Sequence, residues 1–567
     1  MRAPLSGKLR ADRVSSAAST APGTGTPPLA HPGAAGPPRS GVTRGLIWAS
    51  GIGIGTAILI MIAVSTARRS MAVPLMPWPP GFPPLEFSGR LPPMLVYLAL
   101  WAAALLGGGG VIAGLAALAR GARFPARPLL AASFVAVAAL TVLQPAGSTD
   151  TLSYASYGRI AAIGHNPYLM TPNQLRLIGD PVGQLANQVW KRQGSLYGPL
   201  ATVEQRAAAD LGGTSAARIV FWLKLWNALM FCAVALGLDR LLRSDPARRA
   251  RAHLLWSLNP LLLWALIAAG HLDVLAAGAS ILALTLPRAR PQDTVPATTG
   301  PATTGPATTG PGTAGRGSTG RQDDLTGLLT GLAAGALIGV AADFMLTYLL
   351  LGVALLWALR RQAVAFGAAL AGICVTVVPA YLPVGSPLIH ALVARRGKAT
   401  ADNIYHLFPS LQGQLPPAAD VAIVLGFLAL AALLLWRLPD AAPRLPAIHP
   451  ALALGLAWLF LWYYQLPWYD TMIIGLLALY PASRLDYVVM WQFTAGTFAL
   501  MPGGSSRLPP HGLLTLLNHD AKNFITPIML IAAVVALVLL CITGDWDIQD
   551  DRPDQAGRGG GAGVGVR

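Results

Sequence analysis

Fourteen apolar runs, spaced from residue 46 to residue 543, constrain this chain more than any other feature. They cover 46–66, 93–119, 128–145, 219–239, 253–269, 274–287, 325–341, 344–359, 362–382, 419–436, 450–466, 471–483, 487–501 and 524–543. A helix of roughly 17–25 apolar residues is long enough to cross a bilayer. The runs therefore predict an all-α, polytopic integral membrane protein of about 14 transmembrane helices, with short extracytoplasmic amphipathic helices between them. Composition agrees: the chain is 54% hydrophobic and 11% charged, with mean hydropathy +0.54. A soluble domain carries about 25% charged residues, so an ordinary soluble enzyme, a disordered chain and a disulfide scaffold are all excluded.

The net charge is +17. In a soluble protein that would suggest nucleic acid. Here the basic residues flank apolar runs, and no basic stretch carries interleaved aromatics, so the expected partner is the lipid bilayer and not nucleic acid. Cytoplasmic loops are enriched in Lys and Arg. With the N-terminus inside, 26 of the 41 basic residues fall on inner segments and 14 on outer ones, with Lys224 inside a span. The bias is clearest at Arg240, Arg243, Arg248, Arg249 and Arg251. Both termini are thus expected in the cytoplasm of a multi-pass plasma-membrane protein.

Five segments follow. Residues 1–45 are a polar Ala/Gly/Pro/Ser/Arg tail that cannot bury a core. Residues 46–287 form an N-terminal membrane bundle with a large outer loop at 146–218. Residues 288–324 form a low-complexity cytoplasmic linker, in which Pro-Ala-Thr-Thr-Gly occurs three times between Pro296 and Gly310. Residues 325–543 form a second bundle, and 544–567 a second cytoplasmic tail. Cys232, Cys374 and Cys541 all lie in apolar runs and read as packing residues. No spacing fits a disulfide or a zinc site.

The acidic residues are more informative. Those on inner segments read as solvated charge. On the outer side Asp150, Asp273, Asp343 and Asp470 abut predicted spans, where a carboxylate is costly and is usually functional or paired. They suggest the rim of an outward-facing site; helix capping would also place Asp there. The segment 147–168 (GSTDTLSYASYGRIAAIGHNPY) follows the third run directly. Ser148 or Thr149 can cap a short helix beginning near Asp150. Tyr154 and Tyr157 then share a face, Arg159 lies beyond them, and Gly164-His165-Asn166-Pro167-Tyr168 ends the helix. Rings beside Asp, Arg, His and Asn suit a sugar. An interfacial helix with tyrosine anchors has the same composition. Three further clusters are Ser195-Leu196-Tyr197-Gly198-Pro199, which follows Trp190-Lys191-Arg192, Asn259-Pro260 with Gly270-His271-Leu272-Asp273, and Tyr463-Tyr464-Gln465-Leu466-Pro467-Trp468-Tyr469-Asp470. An interfacial aromatic belt would also explain the last of them. One His and one Asp are too few ligands to assign a metal; no cofactor is assigned, and a divalent metal stays open.

In order and spacing over roughly 46–543, these clusters resemble the actinobacterial polyprenol-phosphate-mannose-dependent α-1,6-mannopyranosyltransferases of the GT-C superfamily. The shared pattern is Asp150 with Ser153-Tyr154, then Gly164-His165-Asn166-Pro167-Tyr168, Tyr197-Gly198-Pro199, Asn259-Pro260 with His271, and Pro467-Trp468-Tyr469. The chain departs from it at Leu272, where the group has Asn, and at Asp470, where the group continues to Trp. The resemblance implies a GT-C-like fold and a membrane glycosyltransferase. It would move a sugar, mannose first, from a polyprenyl-phosphate donor to a glycan or glycolipid acceptor on the extracytoplasmic face, with inversion. It also implies Asp150 as catalytic base, and a helix N-terminus would keep that carboxylate ionised. Tyr154, Tyr157, Arg159, His165, Asn166, Tyr168, Tyr197, His271, Asp273, Trp468 and Tyr469 are the expected substrate-binding residues. Arg159, His165 and His271 are expected on the donor phosphate, with Arg395, Arg396 and Lys398 as a second set. A GT-C transferase using arabinose or glucose, and a lipid-linked-sugar flippase or transporter, remain alternative readings.

Overall fold

A computed structural model describes residues 41–74, 76–77, 83, 85, 87–288, 316–394, 397–400, 403–411, 414–440, 442, 444–501 and 512–548. Contacts divide the chain after Arg39, and every described residue belongs to the second unit, Ser40–Arg567. The linker repeats between Pro296 and Gly310, residues 1–40 of the N-terminal tail and residues 549–567 lie outside the described residues, as do Arg395 and Arg396.

Among the described residues the fold is helical, with one parallel pair of short strands, β1 (Ala67–Arg69) and β2 (Phe87–Arg90). The first half runs α1 (Gly41–Thr66), α2 (Pro93–Ala119), α3 (Ala126–Val142), α4 (Asp150–Ala162), α5 (Pro172–Leu177), α6 (Pro181–Gln184), α7 (Pro199–Gly212), α8 (Ala216–Leu241), α9 (Pro246–Ala252), α10 (Pro260–Leu262) and α11 (Asp273–Thr285). The second runs α12 (Arg316–Phe344), α13 (Leu349–Leu359), α14 (Ala363–Tyr381), α15 (Ser386–Val393), α16 (Pro417–Arg437), α17 (Ile448–Leu461), α18 (Thr471–Leu479), α19 (Leu485–Leu500), α20 (Leu513–Asp520) and α21 (Thr526–Thr543).

Each of the predicted apolar runs is occupied by helix. Seven helical stretches among the described residues are long and apolar enough to cross a membrane. The others are shorter or broken. The run 253–269 is interrupted at Asn259-Pro260, with π-helical turns on both sides. Pro260 cannot continue the hydrogen-bond ladder; Asn259 accepts from Leu261 N at 3.1 Å and restarts it. Two boundaries differ from expectation. Helix α1 begins at Gly41, inside the predicted tail, and α12 begins at Arg316, inside the predicted linker.

Close helix pairs are made by glycine. A Cβ on Gly53 of α1 would lie 2.6 Å from Leu106 O of α2, and one on Gly335 of α12 would lie 1.9 Å from Ala369 O of α14. Small residues let backbones approach in this way where lipid gives no hydrophobic drive to associate. Cys541 is buried and Cys232 half-buried, but Cys374 is exposed on the outer face of α14, so it is not a packing residue.

Charged side chains inside the bundle cap helix ends. The last carbonyls of a helix have no partner of their own. Lys224, fully buried in α8, donates to Leu140 O at 2.6 Å and Leu143 O at 2.7 Å, where α3 ends. Arg251 donates to Leu477 O at 3.0 Å and Tyr480 O at 2.7 Å, where α18 ends. It also makes a two-pronged pair with Asp486, at 2.6 and 2.5 Å. Arg249 grips Asp239 in the same fashion, at 2.5 and 2.7 Å. Arg251 and Asp486 are therefore structural ions, although the acidic residues of inner segments, Asp486 among them, were expected to be solvated charge.

Candidate active site

The segment from Leu143 to Thr149 sets where the site begins. Ala146 N donates to Ala268 O at 3.0 Å and Gly147 N to Ala72 O at 2.8 Å. Gly147 has φ +90° and lies against the Trp264 ring, where a Cβ would sit 2.3 Å from a ring carbon. No side chain fits there. Ser148 Oγ then accepts from Asp150 N at 3.1 Å and α4 starts. Helix α4 is buried from Thr151 to Gly158, and Gly158 backs onto Gln205 of α7. It is thus a helix packed inside the protein and not an interfacial one. It ends at Gly164, φ +84°, where Asn166 Oδ1 accepts from Tyr168 N at 2.9 Å.

Asp150 faces a cavity of about 300 Å³. Helix α4 supplies Asp150, Ser153 and Tyr157; the loop after α6 supplies Trp190, Gln193, Leu196 and Tyr197. The second half closes it with Met345–Thr347, with Leu392, and with an aromatic wall of Trp462, Tyr463, Tyr464, Trp468 and Tyr469. A carboxylate on one side and rings on the other match a pocket in which a few polar groups orient a ligand held by apolar faces.

The four sequence clusters meet here. Tyr197 donates to the Tyr154 hydroxyl at 3.3 Å, and that hydroxyl bonds His271 Nδ1 at 3.1 Å. The His271 ring stacks on Trp468 at 3.4 Å between centroids. Tyr154, His271, Asp273 and Trp468 are buried. His271 and Asp273 thus lie behind the cavity wall rather than on a solvent rim. Asp343 and Asp470 are also buried. Asp343 sits in the last turn of α12, where it cannot be an N-cap, and Asp470 makes no side-chain cap bond to α18.

Asp150 Oδ1 accepts from Asn187 Nδ2 and Trp190 Nε1, each at 3.1 Å. Burial pushes the carboxyl up to about 6, against the pull of these two bonds. Burial thus outweighs the helix end and the two bonds in setting the value, yet a carboxyl near 6 is still mostly ionised at neutral pH, the state expected of it. His271 is pushed down to about 3 by burial, so it is neutral and brings no cation to a phosphate.

Of the other expected phosphate ligands, Arg159, His165 and Lys398 are among the described residues, and none of them lines the cavity. Arg159 Nε donates to Asp180 Oδ2 at 2.8 Å, and Asp180 also caps α6 through Val182 N at 2.9 Å. Arg159 is therefore a tie between α4 and the α5–α6 lobe, outside the cavity lining. His165 and Asn166 are exposed at the end of α4. Tyr168 is buried against Val384 and Leu388, with its hydroxyl 2.8 Å from Thr202 Oγ1. Lys398 is exposed and pairs with Gln414 through the backbone. No three His, Cys, Asp or Glu side chains cluster as metal ligands among the described residues. Arg159→Ala is expected to leave the apparent donor KM unchanged and to cost about 1 kcal/mol or less of stability, as partly exposed pairs do. Donor titrations and melting curves on purified protein check this; a raised donor KM would return Arg159 to the site.

A family model described as alpha-(1->6)-mannopyranosyltransferase, N-terminal domain, matches residues 52–361. The chain belongs to the alpha-(1->6)-mannopyranosyltransferase family. It is accordingly a glycosyltransferase, as the resemblance in the four clusters implied. Neither a curated protein nor a solved structure matches it. The matched span holds Asp150, Tyr154, Tyr197 and His271, whereas the aromatic wall at 462–469 follows it. Reading the sequence missed Asn187, and missed Trp190 as a partner of Asp150. Their one signal is an uncharged Asn and a Trp in a basic loop, which does not point to a carboxylate 37 and 40 residues upstream.

Proposed function

We propose that this transferase moves mannose from a polyprenyl-phosphate donor to a hydroxyl of a glycan or glycolipid acceptor. The reaction takes place on the extracytoplasmic face of the plasma membrane, with inversion. The observation that carries this reading is Asp150, one carboxylate facing a cavity walled by aromatic rings. Phosphate leaves without strong acid assistance, so one base acting on the acceptor suffices. The acceptor O–H gives its proton to Asp150 as the acceptor oxygen bonds C1 of the sugar. The C1–O bond to phosphate breaks, and its electron pair leaves on the phosphate. A carboxyl near 6 is mostly ionised at neutral pH, and it is a stronger base than an ordinary Asp; Brønsted behaviour favours a base poised near the working pH. The rings would stack on the C–H faces of the sugars. Met345, Leu346, Leu392 and Leu466 give the cavity an apolar side suited to the first isoprene units.

Radiolabelled polyprenyl-phosphate mannose, supplied to membranes containing the protein, tests the reading. Label should enter an acceptor in α linkage. Donor translocation across vesicles without transfer would favour a flippase. Because the base form is lost on protonation, kcat/KM should fall about tenfold per unit as pH drops below about 6. A pH–rate profile flat from 7 to 5 would remove Asp150 from the base role. For sidedness, Val189→Cys, in a protein whose native cysteines are replaced, should react in intact cells with an impermeant maleimide. Protection of Val189→Cys in cells, with labelling after lysis, would put the cavity on the cytoplasmic side.

A further inference from the structure

The loop 187–193 is built before any ligand arrives. Asn187 Oδ1 accepts from Val189 N at 2.9 Å. Trp190 N returns to Asn187 O at 3.2 Å, and Gln193 N to Trp190 O at 2.9 Å. Asn173 N ties the loop to α5 through Lys191 O at 2.7 Å, and the Tyr157 hydroxyl ties it to α4 through Gln193 O at 3.1 Å. The bond to Val189 fixes which way the Asn187 amide faces: its oxygen is used by the loop, so its NH₂ is the end that meets Asp150. Trp190 has only an N–H to offer, and that also reaches Asp150.

Both donors converge on one oxygen, Asp150 Oδ1, at 3.1 Å each. A carboxylate oxygen has two in-plane lone pairs, and two donors occupy them. We infer that Asn187 and Trp190 are positioning residues that aim the base: they hold Oδ1 and reserve Oδ2 for the proton of the acceptor hydroxyl. This rests on the reading of Asp150 as base. In the step itself the acceptor O–H bond breaks toward Oδ2, the O–C1 bond forms, and the C1–O(phosphate) bond breaks with its electron pair on phosphate. Neither Asn187 nor Trp190 gives up a proton. The pair limits rotation of the carboxylate about its Cβ–Cγ bond, so the reactive lone pair is held toward the cavity. By bonding the charged form the two donors also offset part of the burial penalty.

Asn187→Asp, Asn187→Ala and Trp190→Phe, measured beside Asp150→Asn, test this. Asn187→Asp keeps an oxygen for Val189 N, and so keeps the loop, but replaces a donor with a second carboxylate. Trp190→Phe keeps a ring in the cavity wall and removes the N–H. Each variant should lower kcat at pH 7 by about tenfold, with the largest loss for Asn187→Asp. Each should also move the acid limb of kcat/KM toward higher pH, because a bond that favoured the ionised form is lost. Melting temperature in detergent and donor KM should stay close to wild type in Trp190→Phe, so the test survives if an Asn187 variant does not fold. An unmoved acid limb in folded Trp190→Phe and Asn187→Asp would overturn the inference and leave the loop a structural element. Near wild-type turnover by Asp150→Asn would instead overturn the base assignment, whatever the loop variants do.

Discussion

Asp150→Asn is expected to lower kcat by about 10² or more, since positioned general-base assistance is worth about 10²–10⁴. The substitution preserves shape. Its amide oxygen can still accept from Asn187 and Trp190, and the NH₂ then stands where Oδ2 stood, offering a donor to the acceptor hydroxyl where an acceptor is needed. Capping cannot account for such a loss: the Asp150 carboxylate is engaged by Asn187 and Trp190, and the hydroxyl at the helix start belongs to Ser148. The measurement is single-turnover transfer from labelled donor, with expression and melting temperature as controls. Turnover near the wild-type rate would end the assignment and direct the search to Asp273, which is buried behind the wall and within electrostatic reach of Asp150.

Arg251→Ala should have the largest effect on stability. It leaves Asp486 buried without its two-pronged partner and strips Leu477 O and Tyr480 O of a donor. Breaking a buried pair from one side costs about 3–5 kcal/mol, against a typical total of about 5–15 kcal/mol. The double change Arg251→Met with Asp486→Leu removes both charges, and most of the loss should be regained. Thermal melting of the three proteins in one detergent compares them. Equal melting of Arg251→Ala and wild type would show that the pair contributes little.

The helices were legible because membrane spans depend on runs of consecutive residues, which the sequence displays directly. The start of α4 was legible for a similar reason: Ser148 and Asp150 are two apart, and capping is local. What failed depended on distant partners. Arg159 looked free for a phosphate because its partner Asp180 lies 21 residues downstream, in a lobe whose packing no local pattern reveals. Asp486 looked solvated because its partner Arg251 lies 235 residues away. His271 was expected on the phosphate as a cation or as an N–H donor; complete burial makes it neutral and leaves only the N–H role. The meeting of Tyr154, Tyr197, His271 and Trp468 was expected from the ordered motifs of a family, and spacing alone would not have shown it.

Helix α18 has nine residues, all buried. At about 1.5 Å per residue it is roughly 14 Å long, under half of a hydrocarbon core of about 30 Å. Such a segment has too little apolar length to cross a bilayer by itself. In the folded chain it is enclosed instead by its neighbours: α17 and α11 pack beside it and Arg251 caps its end. The segment that carries the aromatic wall therefore leads into a helix whose surroundings are supplied in part by the first half of the chain.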